Sequence, residues 1–232
     1  MLKSFEPLSE LNDSNAIFQK EMSYKILGLA GIAGVSIYFI IFIFLGLVQP
    51  GYNHFHDTVS ALVLGEFGFI QTINFIILAS SFFFVGLGVG GSMYKHKINQ
   101  VSLTFILFAF VLLIAAIFPT NDLRHPSDFP ASSPSLGGVI HFFGSLSLVL
   151  CAPLMLYSLF RGMRQSKYWK SLIPYTAVVL IISFVFGGVW FLLLDNVLFF
   201  AWKGFFQKLL ITNVLIWMGV LSWKIVKKRS DY

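Results

Sequence analysis

Long apolar runs separated by short polar segments make up most of this chain. Six runs approach the length of a bilayer-spanning helix, about 20 residues. They cover about 25–48, 69–92, 101–118, 138–160, 172–194 and 206–225. Proline marks the breaks: Pro50-Gly51 closes the first run, Pro119 closes the third, and Pro174 suits the first turn of the fifth. Pro153 falls inside the fourth run and is expected to kink it unless neighbouring groups compensate. The stretch from Asp195 to Phe206 mixes Phe and Trp with Asp195, Asn196 and Lys203, and reads equally as loop, interfacial or re-entrant segment. The expected fold is all-α, a bundle of six transmembrane helices over 25–225. An N-terminal segment, 1–24, precedes it and a basic tail, 226–232, follows. Gly28, Gly31 and Gly34 in the first helix, with Gly86 and Gly90 in the second, are expected where backbones approach closely.

Composition excludes an ordinary soluble domain. Hydrophobic residues are 57% and charged residues 11%, against about 25% charged in soluble proteins. Glu6, Glu10, Asp13 and Glu21 make the N-terminal segment mixed in charge, unlike a cleavable signal peptide. The net charge of +6 raises nucleic acid as a partner, but the basic residues flank the apolar runs, where topology and anionic lipid headgroups explain them better. Sixteen Lys and Arg divide unevenly between the two faces. The N-terminal segment, the second and fourth connections and the tail carry all but Arg124, Lys203 and Lys208. The positive-inside rule then puts both termini in the cytoplasm, with connections one, three and five facing outward. Cys151 is the only cysteine, so no intramolecular disulfide can form.

With sides assigned, the polar residues collect on the outward face. The first loop holds His54, His56, Asp57, Ser60 and Glu66, and the third connection holds Asn121, Asp122, Arg124, His125 and Asp128. His141 opens the fourth helix, where Gly144 and Ser145 share its face and predict an inward stripe. Asp195 and Asn196 end the fifth helix; Gln207, Lys208 and Asn213 begin the sixth. Ionisable groups at this depth usually face a bundle interior or a water-filled cavity.

Three chemistries suit these residues. His54, His56, Asp57, Asp122 and His141 are of the types that hold a divalent metal such as zinc. Asp57, Ser60, Asp122 and His141 could instead form a metal-free catalytic group, with His141 as general base and Ser60 as nucleophile. In the third, Asp57, Ser60 and Asp122 cap helix ends and hold the loops down. Asn121, Asp195, Lys208 and Asn213 would line a substrate pocket beside them. The chain carries no phosphate-binding loop, dinucleotide fingerprint, HExxH or CxxC.

Tyr52 to Leu64, with the core Asp57-Thr58-Val59-Ser60-Ala61-Leu62, resembles the element after the first helix in the bacterial membrane family called domain of unknown function 998. Phe118-Pro119-Thr120-Asn121-Asp122 and Gly138-Val139-Ile140-His141 resemble two further elements of that family. The family typically reads Phe-Pro-Thr-Asp, so Asn121 is a departure, and either Asn121 or Asp122 fills the acidic position. The resemblance covers roughly residues 25–160 and implies a six-helix fold with Asp57, Ser60, Pro119, Asp122 and His141 as its conspicuous positions. It implies no activity. The element after helix one is more remotely similar to that of eukaryotic Frag1- and DRAM-related proteins, some of which act in lipid remodelling. The expectation is an inner-membrane, multi-pass protein whose outward polar pocket binds or acts on a lipid or lipid-linked compound. A small-molecule transporter and a non-catalytic assembly or sensing protein are the alternatives, and membrane lipids are the expected partners.

Overall fold

The computed structural model describes residues 8–94, 99–121, 135–193 and 200–228. Six α-helices are found there: α1 Leu8–Val48, α2 Gly68–Met93, α3 Gln100–Ile117, α4 Leu136–Gln165, α5 Ile173–Leu193 and α6 Lys203–Val226. Five of them contain stretches long and apolar enough to cross a membrane, and α4 contributes the shorter apolar helix Leu136–Leu148. Bulky apolar side chains such as Ile40, Leu47, Phe69 and Phe110 cover the outside of the bundle. This is the inverse of a soluble surface and marks a multi-pass membrane protein.

Two helices depart from the expected bounds. α1 begins at Leu8 rather than near residue 25, because no Pro or Gly interrupts residues 8–27. The segment expected to precede the bundle is thus largely a continuation of its first helix. α4 runs through Pro153 to Gln165 as one helix. At the other end of α1, Gly51 has φ +72°, which glycine adopts at little cost, and it reverses the chain after Pro50.

The helices form a ring in chain order, α1 closing against α6, with α2 also reaching across to α4 and α6. The ring is thinnest between α4 and α5, since α5 lies mainly on α6. Tight packing on the opposite side follows from the glycine stripe. A Cβ on Gly31 would lie 2.3 Å from Ser222 Oγ of α6 and 2.4 Å from Val85 of α2. Gly28 abuts Ser222 and Val226, and Gly34 abuts Ser81. Phe82, Phe105, Phe108 and Trp217 fill the centre, the Phe82 and Phe108 rings 4.7 Å apart.

One end of the bundle is basic and aromatic. Lys224 and Lys228 lie over the Tyr168 ring, each 4.8 Å from its centre, and the buried Trp169 indole donates to Ser92 Oγ. The other end carries residues 49–67, folded partly as a 3-10 turn, η1 (Val59–Leu64), together with the ends of α3 and the starts of α4 and α6.

Candidate functional site

Residues 49–58 form a compact cap. The Asp57 carboxylate is buried and turned back into its own loop: one oxygen accepts the Asn53 backbone N–H at 2.9 Å, and the other lies 2.7 Å from His56 Nδ1. Asn53 Oδ1 in turn accepts the Phe55 N–H, an Asx turn. Tyr52 donates its hydroxyl to the carbonyls of Thr58 and Asp57, at 3.2 and 3.4 Å. Burial pushes the Tyr52 phenol above its ordinary range, and the nearby Asp57 carboxylate and Tyr38 add to the shift. Tyr52 therefore remains a donor.

The first turns of α6 fasten this cap. Lys208 Nζ donates to the carbonyls of Asp57 (2.5 Å) and His54 (2.9 Å). Gln207 Oε1 accepts from Val59 N at 2.8 Å, and Phe205 N donates to Phe55 O at 2.8 Å. Gly204 is required by this approach, because a Cβ there would sit 2.2 Å from the Asp57 carbonyl oxygen. His54 packs edge-on against Tyr52 and Phe42 and fills the space beside Gly46. Its ring and that of His56 thus have different surroundings.

A second link joins α3 to α4, and proline creates the need for it. In a regular helix the Ala115 carbonyl would accept the N–H of residue 119, but residue 119 is proline and has none. Pro119 also favours extended backbone at the residue before it, and Phe118 has φ −95° and ψ 116°. His141 supplies the missing donor: its Nδ1 lies 2.8 Å from both the Ala115 and the Phe118 carbonyl oxygens. Two carbonyls fix the proton on Nδ1 and leave the lone pair on Nε2. Asn121 makes a companion link. Its Oδ1 accepts from Ser135 N at 3.1 Å and Ser135 Oγ at 2.9 Å, while Ser135 Oγ caps α4 by accepting from Gly138 N.

Beneath the cap, between the helices, lies a cavity of about 240 Å³ to which all six helices and η1 contribute. Near the cap its wall holds Ser60, His141, Ser145, Gln207 and Trp190. Deeper, the wall is apolar, including Phe82, Met155, Leu156, Val179 and Leu215. Tyr38 also contributes, and its hydroxyl and the Trp190 indole N–H are buried with no hydrogen-bond partner among the described residues.

Of the residues expected to act together, Ser60 and His141 share this cavity, and the inward stripe brings Ser145 with them. Asp57 itself does not line the cavity but lies in the cap, two positions before the lining Val59. Lys208 serves the loop, Asn121 serves the α3–α4 link, and Asn213 joins α6 to α5 by donating to Val179 O and Ser183 Oγ. Asp122 and Asp195 lie outside the described residues. Among the described residues no three His, Cys, Asp or Glu side chains are grouped as a metal site requires. Tyr38 and Trp190 were not expected, and Gln207 was placed on the outward face without a site role. The only signal of Tyr38 and Trp190 is a hydrogen-bonding end on a side chain within an apolar run.

The model of the family described as "Protein of unknown function (DUF998)" matches residues 32–224, so the match reaches through the last two helices. No curated protein and no solved structure matches, and the remoter likeness to Frag1- and DRAM-related proteins is not carried further.

Proposed function

The chain belongs to the DUF998 family, and we propose that this member is a six-span protein of the bacterial cytoplasmic membrane that binds a lipid or lipid-linked compound in its cavity. One observation carries the reading: an apolar wall inside the bundle leads to a group of hydrogen-bonding side chains at one end. An apolar chain with a polar head matches that gradient, whereas a water-soluble solute does not. α4 supplies the sixth span. The excess of Lys and Arg at the opposite end supports cytoplasmic termini and an outward-facing cap.

Chemistry at the polar end would fall to Ser60 as nucleophile and His141 Nε2 as base, in acyl or phosphoryl transfer. Asp57 would act by holding the cap, since its carboxylate is engaged by Asn53 and His56. Transport is the rival, and transporters commonly use broken helices and polar groups near the midplane. Here α4 is continuous through Pro153, Asn213 is bonded to α5, and Ser81 is bonded to its own helix. A role in assembly or sensing would leave the bound lipid unchanged.

Protein purified in mild detergent, extracted and analysed for lipid by mass spectrometry, tests binding. A stoichiometric lipid species is expected. Recovery of the detergent-micelle lipid background alone would refute it. Turnover in liposomes that disappears in Ser60→Ala and His141→Asn would add catalysis, and persistence in both variants would exclude this pair.

A further inference from the structure

The cavity contains two features that binding of an unspecified lipid does not explain: its unpaired polar atoms can both donate, and two of its α5 lining residues are exposed on the outside of the bundle. The Tyr38 hydroxyl and the Trp190 indole N–H are both buried without partners, and an indole N–H can only donate. Tyr38 is 1% exposed, so water does not satisfy it from outside the bundle. A ligand that relieves these groups brings an acceptor such as a carbonyl oxygen. Among the described residues no Lys or Arg lines the cavity. Lys208, which follows the lining Gln207 in α6, is committed to loop carbonyls. A charged head would lie in a low-dielectric site without a counterion, which is strongly unfavourable.

Size and depth limit the apolar part. The lining of α6 runs from Gln207 to Trp217, which at about 1.5 Å per residue is ~15 Å. That is about one leaflet, half of a hydrocarbon core ~30 Å thick. The volume of about 240 Å³ falls below the range usual for drug-sized sites, so a two-chain lipid does not fit whole.

The opening follows from α5. Phe184 and Gly188 line the cavity, yet Phe184 is 58% exposed and Gly188 is also exposed on the bundle surface. α5 as a whole makes little contact with α4 and packs mainly on α6. A Cβ at Gly188 would meet nothing within 4 Å. Gly188 and Phe184 lie on the apolar outside of a membrane-spanning helix, so an opening beside them leads to the bilayer.

We propose that the cavity takes one hydrocarbon chain of a neutral, ester-bearing lipid of the acylglycerol class, which enters sideways between α4 and α5. This rests on the lipid-binding reading and adds head chemistry and route. Tyr38 and Trp190 donate to the ester carbonyl, and His141 Nε2 accepts from a glycerol hydroxyl. Lipid tails already surround the chain in the bilayer, so its transfer gains little from the hydrophobic effect. Discrimination therefore lies in the head contacts.

The test uses full-length protein in liposomes with two photoreactive probes of one chain length, a diazirine-chain monoacylglycerol and the corresponding lysophosphatidylglycerol. Labelled positions are mapped by mass spectrometry. The neutral probe is expected to label cavity residues such as Met155 and Leu156 at least tenfold more than the anionic one. Gly188→Leu, which fills open space at the gap, should cut that labelling about tenfold while labelling of outward-facing Phe110 persists. Tyr38→Phe should weaken competition by unlabelled monoacylglycerol about five- to tenfold. The melting temperature of each variant confirms folding, and Gly188→Trp serves as a second plug. Cavity labelling that favours the anionic probe overturns the neutral head and leaves lipid binding intact. Cavity labelling unaffected by either plug overturns the sideways route. If neither probe labels the cavity in the parent protein, lipid binding there fails with the proposal.

Discussion

His141 is expected to replace a hydrogen bond that Pro119 removes, and a double-mutant cycle tests that relation. Replacing His141 with Leu keeps an apolar side chain at the site but leaves the buried Ala115 carbonyl unpaired and the Phe118 carbonyl deprived of its donor. An unsatisfied buried backbone group costs about 1–3 kcal/mol. For a chain of this size that corresponds to a fall of roughly 2–12 °C in melting temperature, at about 2–4 °C per kcal/mol. His141→Asn should fall by much less, because its amide nitrogen lies near the place of Nδ1. In a Pro119→Ala background, residue 119 regains an N–H and Phe118 is freed to continue the helix. His141→Leu should then be milder by about 1–2 kcal/mol, since the Ala115 carbonyl has an alternative donor. Cys151, the only cysteine, packs partly buried against the core, so a thiol-reactive dye reports unfolding in detergent. Additivity of Pro119→Ala and His141→Leu within about 0.5 kcal/mol would refute the replacement.

Lys208→Met should lower the melting temperature by roughly 3–12 °C, because it removes a charge-assisted donor worth about 1.5–3 kcal/mol. It should also expose Tyr52 and Phe55 to chymotrypsin; unchanged cleavage would show that the cap holds without α6. The Tyr52 phenol titrates above its ordinary value in the folded protein, so its contribution is whole below pH ~10 and declines as pH rises beyond it, by at most about 1.4 kcal/mol per unit. Tyr52→Phe should flatten the alkaline loss of stability, and parallel curves for the two proteins would contradict this. Gly31→Ala, whose Cβ would collide with Ser222 and Val85, should cost about 1–3 kcal/mol, while Gly188→Ala should be near neutral. Equal melting temperatures for the two glycine variants would count against the packing described for α1.

Hydropathy located the helices because the apolar runs reach bilayer length, and Pro50-Gly51, Pro119 and Pro174 mark three of their ends. The start of α1 escaped this reading because residues 8–24 are polar enough to look like a tail while containing nothing that stops a helix. The inward face of His141 was legible from its spacing to Ser145. Its partner was not, because the carbonyl freed by Pro119 becomes relevant only once α3 and α4 lie side by side. Among the residues expected to converge, Asp57 found nearer partners in Asn53 and His56, whereas Ser60 and His141 reached a common wall. Tyr38 and Trp190 were indistinguishable from lipid-facing bulk, since burial without a partner is a property of the packed bundle alone.

The fastening of residues 55–59 to Phe205, Gln207 and Lys208 also sets a timetable for biosynthesis. The Lys208 contact with Asp57 spans 151 positions of sequence. At about 5–20 residues per second, roughly 8–30 s pass between synthesis of the loop and synthesis of its anchor. During that interval the loop has none of its α6 partners, and helices already inserted surround a space without its cover. A ribosome stalled before residue 203 would therefore leave an open vestibule in the membrane. Completion of the sixth helix is the event that seals it.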